Sequence, residues 1–278
     1  MKTEFTLFIL STLLMLSCQP QNTGNGQMSE EEEKAEEQLL VDNDDPTLLA
    51  MRALADEFSI EYLMGKFDPT EHPDFTLVDR RYANREGLYL RKDSYEAFQK
   101  MHAAALEDSV QLIIISATRN FYAQKGIWEA KWTGQRKVEG GQDASKAYPD
   151  PKERALKILE YSSMPSTSRH HWGTDMDLNA LTNGYFEKGK GLKIYNWLLE
   201  NAADFGFCQP YTEKDAGRPF GYNEEKWHWS YMPVAQPLTY KAAKELTDDM
   251  ITGFMGSEVA GDIGVVEKYV LGINPKCK

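Results

Sequence analysis

The chain is poor in cysteine and histidine, with three Cys and five His in 278 residues. No C-x-x-C pair occurs, which argues against a cysteine-based zinc module. There is no glycine-rich phosphate loop, no internal repeat and no basic stripe, and the net charge is −12. These absences leave no footprint for nucleic acid. Long apolar runs are missing too: the stretch from Phe5 to Leu16 is shorter than the about 20 residues that cross a bilayer.

That short run reads as something else. It lies behind Lys2 and ahead of small Ser17 and Cys18, the layout of a secretory signal over residues 1–18. "LMLSC" resembles a bacterial lipobox, although Met15 and Leu16 stand where branched and then small residues are usual. A lipid on Cys18 would anchor the chain to a membrane through buried methylenes, at about 0.8 kcal/mol each. Residues 19–45 are polar and then acidic. Ser29 to Asp45 holds nine acids and one lysine, a charge of −8 that leaves the body near −4. Such a segment repels itself and buries little apolar surface, so an extended linker is expected, with "EEEEKAEEQLL" partly helical as the alternative. The expected address is the cell envelope, as a periplasmic or outer-membrane lipoprotein. In that compartment Cys208 and Cys277 either form one disulfide that closes a long loop or stay as two buried thiols.

The body, 46–278, mixes helices and short strands without a regular βαβ rhythm. Helical periodicity runs over Pro46–Gly65 and Lys92–Ser109, with His102 beside the apolar face of the second. A β-branched run, Val110–Ser116, predicts a buried central strand, and "TRNFYAQKGIWEAKW" predicts a helix after it. Asp150 and Pro151 make a strong helix start for Asp150–Ser163. Another helix is expected over "KGLKIYNWLLENAADFG" with Gly206 at its C-cap, and a last one over Leu238–Met255. "KWHWSY" alternates like a strand. The fold class is α+β, with a small, mostly antiparallel sheet flanked by helices.

The chemistry is concentrated in "SRHHWGTDMDLN", where two His and two Asp fall within eight residues. Gly173 marks a turn, and the alternation after it puts Asp175 and Asp177 on one face of a strand. Far downstream, "EEKWHWSY" supplies Glu225 and His228, which an extended chain would send to opposite faces unless it bends. Two histidines and a carboxylate are the ligand set of a catalytic zinc site, and a further carboxylate can act as proton carrier.

Ser168-x-His170-x-x-Gly173-x-x-x-Asp177, followed by Glu225-x-Trp227-His228, resembles the signature of the zinc D-alanyl-D-alanine carboxypeptidase and dipeptidase family that includes the VanY and VanX enzymes. The resemblance covers about Asp45 to Pro237. It implies Zn2+ held by His170, Asp177 and His228, with Glu225 as catalytic base and His171 and Asp175 outside the metal shell. His171 in place of His170 is the rival register. Asp175 stands where the family has a small residue, and Ser166 where it has glycine. Arg119 and Gln124 of "SATRNFYAQ" match the segment whose arginine polarises the scissile carbonyl or holds substrate, and Ser168 is a candidate for binding the substrate terminus.

The expectation is therefore a zinc D,D-carboxypeptidase that acts on peptidoglycan stem peptides. L,D-carboxypeptidase, D,D-dipeptidase and endopeptidase activities are alternatives within the family. Outside it stand a zinc peptidase with no cell-wall role and a non-catalytic, zinc-stabilised lipoprotein that binds cell wall.

Overall fold

Alternation along "DMDL" decides the layout of the molecule. A computed structural model describes residues 45–278; the expected signal, Cys18 and residues 19–44 of the acidic linker lie outside the described residues. A small antiparallel pair, β1 (Phe75–Leu77) and β2 (Tyr89–Arg91), precedes the main sheet. That sheet has the spatial order β3 (Ile114–Ser116), β4 (Asp175–Leu178), β6 (His228–Tyr231), β5 (Phe207–Cys208), all antiparallel. In β4, Met176 and Leu178 point to one face and Asp175 and Asp177 to the other. Register extends the division: Met176 lies opposite Trp229, Asp175 opposite Ser230, and Asp177 opposite His228 and Ser116.

The apolar face packs on α2 (Lys92–Glu107) and α5 (Gly189–Asn201) in a core that includes Phe98, Met101, Leu112, Phe186 and Leu198. Helix α2 presents Tyr95, Phe98, Met101, His102 and Ala105 inward, the spacing of a single helical stripe. A second core gathers Trp128 and Trp132 of α3 (Phe121–Trp132), Ile158 of α4 (Pro151–Ile158), Trp172, and Leu238 of α6 (Met232–Glu245). The polar face of the sheet faces this second group. The fold is α+β, with helices around a small antiparallel sheet.

Several elements are shorter than periodicity alone predicts, each for a local reason. The helix expected over Pro46–Gly65 divides into α1 (Pro46–Asp56) and a turn at Ile60–Leu63, because the Ser59 side chain accepts from Tyr62 N at 3.1 Å and starts a new helix. The strand expected from Val110 begins only at Ile114. Before that point Asn179, at φ 63°, replaces a partner strand: its amide donates to Gln111 O at 2.9 Å and accepts from Ile113 N at 3.4 Å. The helix expected over Leu238–Met255 runs instead from Met232 to Glu245 and is not the last. Pro233 fits its first turn, and Pro237 lacks the N–H that would have met the Pro233 carbonyl. Past Glu245 the Asp248 carboxylate accepts from Val266 N at 2.8 Å and draws the chain into a separate turn. Helix α4 starts as its cap predicts, with Asp150 accepting from Glu153 N at 2.9 Å, but ends at Ile158.

Cys208 and Cys277 are bonded, with Cα atoms 5.8 Å apart and a sequence separation of 69 positions. The bond ties the chain end to β5, the strand that supports β6 and hence His228. Replacing both cysteines by serine is expected to cost about 2–4 kcal/mol, the range for a crosslink closing a long loop. The urea midpoint under oxidising conditions measures it, and an unchanged midpoint would contradict the role.

Candidate active site

The turn at Arg169–Trp172 sends four successive side chains in four directions. Gly173 closes it at φ 74°; a Cβ there would sit 2.4 Å from the Phe75 ring. Trp172 enters the core and donates from Nε1 to Leu63 O at 3.1 Å, while Tyr62 Oη donates to Trp172 O at 2.8 Å. His170 turns to the cleft, and Arg169 lies beneath the polar face of the sheet.

His170, Asp177 and His228 each offer one ligand atom, and these atoms lie within 4.8 Å of one another. His170 Nδ1 is 2.9 Å from Ala117 O, which leaves Nε2 directed at Asp177 Oδ1, 3.4 Å away. His228 Nε2 is 2.8 Å from Asp175 Oδ2, which leaves Nδ1 facing the same Asp177 oxygen at 3.1 Å. Asp177 Oδ1 is buried and makes no hydrogen bond. Two ring nitrogens with their far sides held, converging on an orphaned carboxylate oxygen, fit a divalent metal with two nitrogen ligands and one oxygen ligand. Three protein ligands leave coordination open, as a catalytic site requires.

His171 is not a competing ligand. Its Nδ1 donates to Arg119 O at 2.5 Å and its Nε2 accepts from Ser166 N at 3.1 Å, so both nitrogens are used as a neutral ring. Burial pushes its pKa down to about 3. Ser166, at φ 76°, holds the left-handed conformation that favours glycine.

Glu225 reaches the cluster because the chain bends before β6: His228 N donates to Glu225 O at 3.2 Å, and Glu225 Oε2 stands 3.4 Å from His228 Nδ1. Burial, aided by Asp177, raises its carboxyl above the usual range despite His228. Arg119 donates to Ser116 Oγ at 2.7 Å, lies 3.7 Å from Asp177 Oδ2 and leaves Nε unpartnered. Ser168 Oγ and Gln124 Oε1 are likewise buried and unpartnered, while Gln124 Nε2 donates to Ser163 O at 2.7 Å. All of the residues singled out in the sequence as ligands, base or substrate contacts line one cavity of about 460 Å³.

Sequence reasoning missed what stands behind the ligands. Asp175 is fully buried, with Oδ1 accepting from Thr174 Oγ1 and Ser230 Oγ, both at 2.7 Å, and Oδ2 facing His228 Nε2 and Arg169 Nε. Arg169 donates from Nη1 to Thr239 Oγ1 at 2.9 Å and from Nη2 to Ser230 Oγ at 2.7 Å, with its guanidinium 4.5 Å over the Trp172 ring. Burial would raise the Asp175 carboxyl, but Arg169 and His228 hold it well below the usual carboxylate range. Burial also works against charge on His228, yet its contacts with Asp175, Asp177 and Glu225 prevail and hold it well above the usual histidine range. The alternation that put Asp175 beside Asp177 was a signal for this arrangement; nothing in the sequence announced Arg169 as its partner.

Asp175→Ala would strand the buried guanidinium and is expected to destabilise the chelated protein by about 3–5 kcal/mol. Arg169→Met combined with Asp175→Ala should recover much of that loss in thermal denaturation. Both variants should bind zinc about 10- to 100-fold more weakly, because His228 loses the carboxylate that orients it. Unchanged zinc affinity in competition with a chromophoric chelator would contradict the bracing role.

The family model described as VanY, D-alanyl-D-alanine carboxypeptidase, matches residues 87–234. The chain is 26% identical over 200 residues to the putative carboxypeptidase YodJ of Bacillus subtilis (strain 168), an alignment covering 68% of this chain and 61% of that protein's length. It is 29% identical over 93 residues to an uncharacterised protein of Haemophilus influenzae, covering 29% of this chain and 70% of the other. Among solved structures it is similar to VanYB in complex with D-alanine-D-alanine, at 25% identity and a TM-score of 0.43, covering 63% of this chain and 86% of that one. It is also similar to the LdcB LD-carboxypeptidase, at 20% identity and a TM-score of 0.46, covering 72% and 79%. The matched segment is over half of the chain and contains every cleft residue from Arg119 to His228, so the protein belongs to the VanY family of D-alanyl-D-alanine carboxypeptidases.

Proposed function

We propose that the protein is an exported zinc peptidase that removes the terminal D-alanine from peptidoglycan stem peptides. The observation that carries this reading is the convergence of His170 Nε2, His228 Nδ1 and Asp177 Oδ1 with the Glu225 carboxylate at 3.4 Å from the His228 nitrogen. A metal held by three protein atoms beside an unbound carboxylate suits hydrolysis better than structural support. Zinc, held by His170, Asp177 and His228, supplies Lewis acidity and makes water a usable nucleophile near neutral pH.

The protein's own groups divide the remaining work. Glu225 collects a proton from the attacking water and delivers it to the leaving amine, and its raised pKa favours the first of these transfers. Arg119, with Nε unpartnered, stabilises negative charge as it develops on the scissile carbonyl oxygen. Ser168 donates its hydroxyl to the terminal carboxylate. Gln124 offers its carbonyl oxygen to a substrate N–H, since its amide nitrogen is already engaged with Ser163. The residues before 46 fit an export signal, a lipid on Cys18 and an acidic tether that would place the 46–278 body in the cell envelope near its polymer substrate.

Mass spectrometry of muropeptides with tetra- and pentapeptide stems tests the reading. Loss of one D-alanine from the pentapeptide marks D,D-carboxypeptidase activity, and loss from the tetrapeptide marks L,D activity. Chelation should abolish either one, and Glu225→Ala should lower the rate by about 10²–10⁴-fold. Zinc-loaded protein that leaves both stems intact would favour a wall-binding lipoprotein or a peptidase with other substrates.

A further inference from the structure

Beyond the zinc site and its immediate substrate contacts, the same cleft is lined by residues to which that chemistry gives no task. Helix α3 lines the cavity with Gln124, Ile127 and Lys131, spaced for one helical face. Lys131 is half-buried, and its Nζ donates to Ser162 Oγ at 2.5 Å. That hydroxyl is neutral, and among the described residues no carboxylate lies within ion-pairing distance of the ammonium. Arg136, an exposed residue, also lines the cavity without an ion pair; its backbone N donates to Ala130 O at 2.7 Å, which folds the chain back beside the end of α3. Lys137, by contrast, is occupied by Asp143 at 3.2 Å.

The acids lining the cleft do not balance these two cations. Asp177 and Glu225 face the metal-ligand cluster and Glu139 is exposed, and none of the three comes within ion-pairing distance of Lys131 or Arg136. Burial and the neighbouring Arg136 push the Lys131 pKa down to about 8, although Glu225 and Glu139 act the other way. Two cations that line one cleft without an ion pair are complementary to an anionic group on its ligand.

We infer that Lys131, with Ser162 and Arg136, forms a carboxylate subsite, so that the preferred substrate carries a second carboxylate besides the one at its cleaved end. The inference rests on the zinc-peptidase reading for the identity of the cleaved end. Lys131 follows Gln124 by seven residues, roughly 10 Å along the helix axis at about 1.5 Å per residue. An extended peptide advances about 3.3–3.6 Å per residue, so the second carboxylate belongs about three residues from the group that meets Gln124. The ligand class is a short peptide bearing an acidic side chain or branch, in preference to its amide or a basic counterpart.

The test uses N-acetylated peptides ending in D-Ala-D-Ala, with Glu or Gln placed one, two or three residues upstream of that end, each also made as the C-terminal amide. Affinities are measured by calorimetry on the zinc-loaded Glu225→Ala protein, so binding is read without turnover. At one of the positions the Glu peptide should bind at least about fivefold tighter than its Gln partner. Adding Lys131→Met should erase that ratio, and Lys131→Arg should keep most of it. Equal binding of Glu and Gln peptides at every position, or a ratio that survives Lys131→Met, would overturn the inference. So would a Lys131→Met effect that is the same for Glu and Gln peptides but vanishes with the C-terminal amides, since Lys131 would then hold the terminal carboxylate itself. Turnover of the same peptides by the unsubstituted protein separates the two readings: charge discrimination without cleavage sinks the peptidase, and cleavage without discrimination sinks only the subsite.

Discussion

The chain of contacts from Arg169 through Asp175 to His228 is the constraint on which the rest of the structure depends. Charges taken out of water cost several kcal/mol each unless geometry restores what solvation supplied. Here one face of a four-stranded sheet carries Asp175, Asp177, His228 and Ser230, all buried. It can be buried because Arg169 neutralises Asp175, and Asp175 in turn fixes the ring that faces Asp177. Trp172 covers the guanidinium, and Thr239 of α6 accepts one of its N–H groups. The Arg169–Asp175 pair is close to neutral, so Asp175 can orient His228 without adding net negative charge to the metal site.

That arrangement sets demands on distant parts of the chain. Gly173 must take a left-handed conformation against Phe75, so that Arg169 and His170 leave the turn on different sides. Gly65 must lack a side chain, since a Cβ would stand 2.5 Å from the His171 ring. The opposite face of the sheet is tied down by Met176, Leu178 and Trp229 in an apolar core, and β5 is tied to the chain end by the disulfide. A rigid scaffold on both sides leaves the cleft as the open part of the assembly, and there the orphaned polar atoms gather.

The motif residues were legible in the sequence because their spacing is tied to local geometry. Alternation puts Asp177 on the face it needs, and a bend brings Glu225 to His228. The Asp150 cap starts α4 where side-chain chemistry says it should. What stayed hidden depends on partners distant in sequence. Arg169 meets Thr239 across 70 positions, and Ser230 meets Asp175 across 55, separations that no local pattern encodes. Lys131 looks like an ordinary polar helix residue until Ser162 and the cavity wall are placed beside it. The Cys208–Cys277 pairing needed coordinates, because spacing along the chain says nothing of Cα separation. Elements were over-extended where a side chain intervened, as Ser59 does in the first helix and Asn179 beside β3.

On the proposed reading, the buried polar face of the sheet holds one metal ion through His170, Asp177 and His228. X-ray absorption at the zinc edge, on protein reconstituted with one equivalent of zinc, tests it most directly. Two imidazole nitrogens and one or two further light ligands at about 2.0–2.2 Å are expected, with one imidazole lost in His228→Ala. Failure to retain zinc, or a first shell that His170→Ala and His228→Ala leave unchanged, would contradict it.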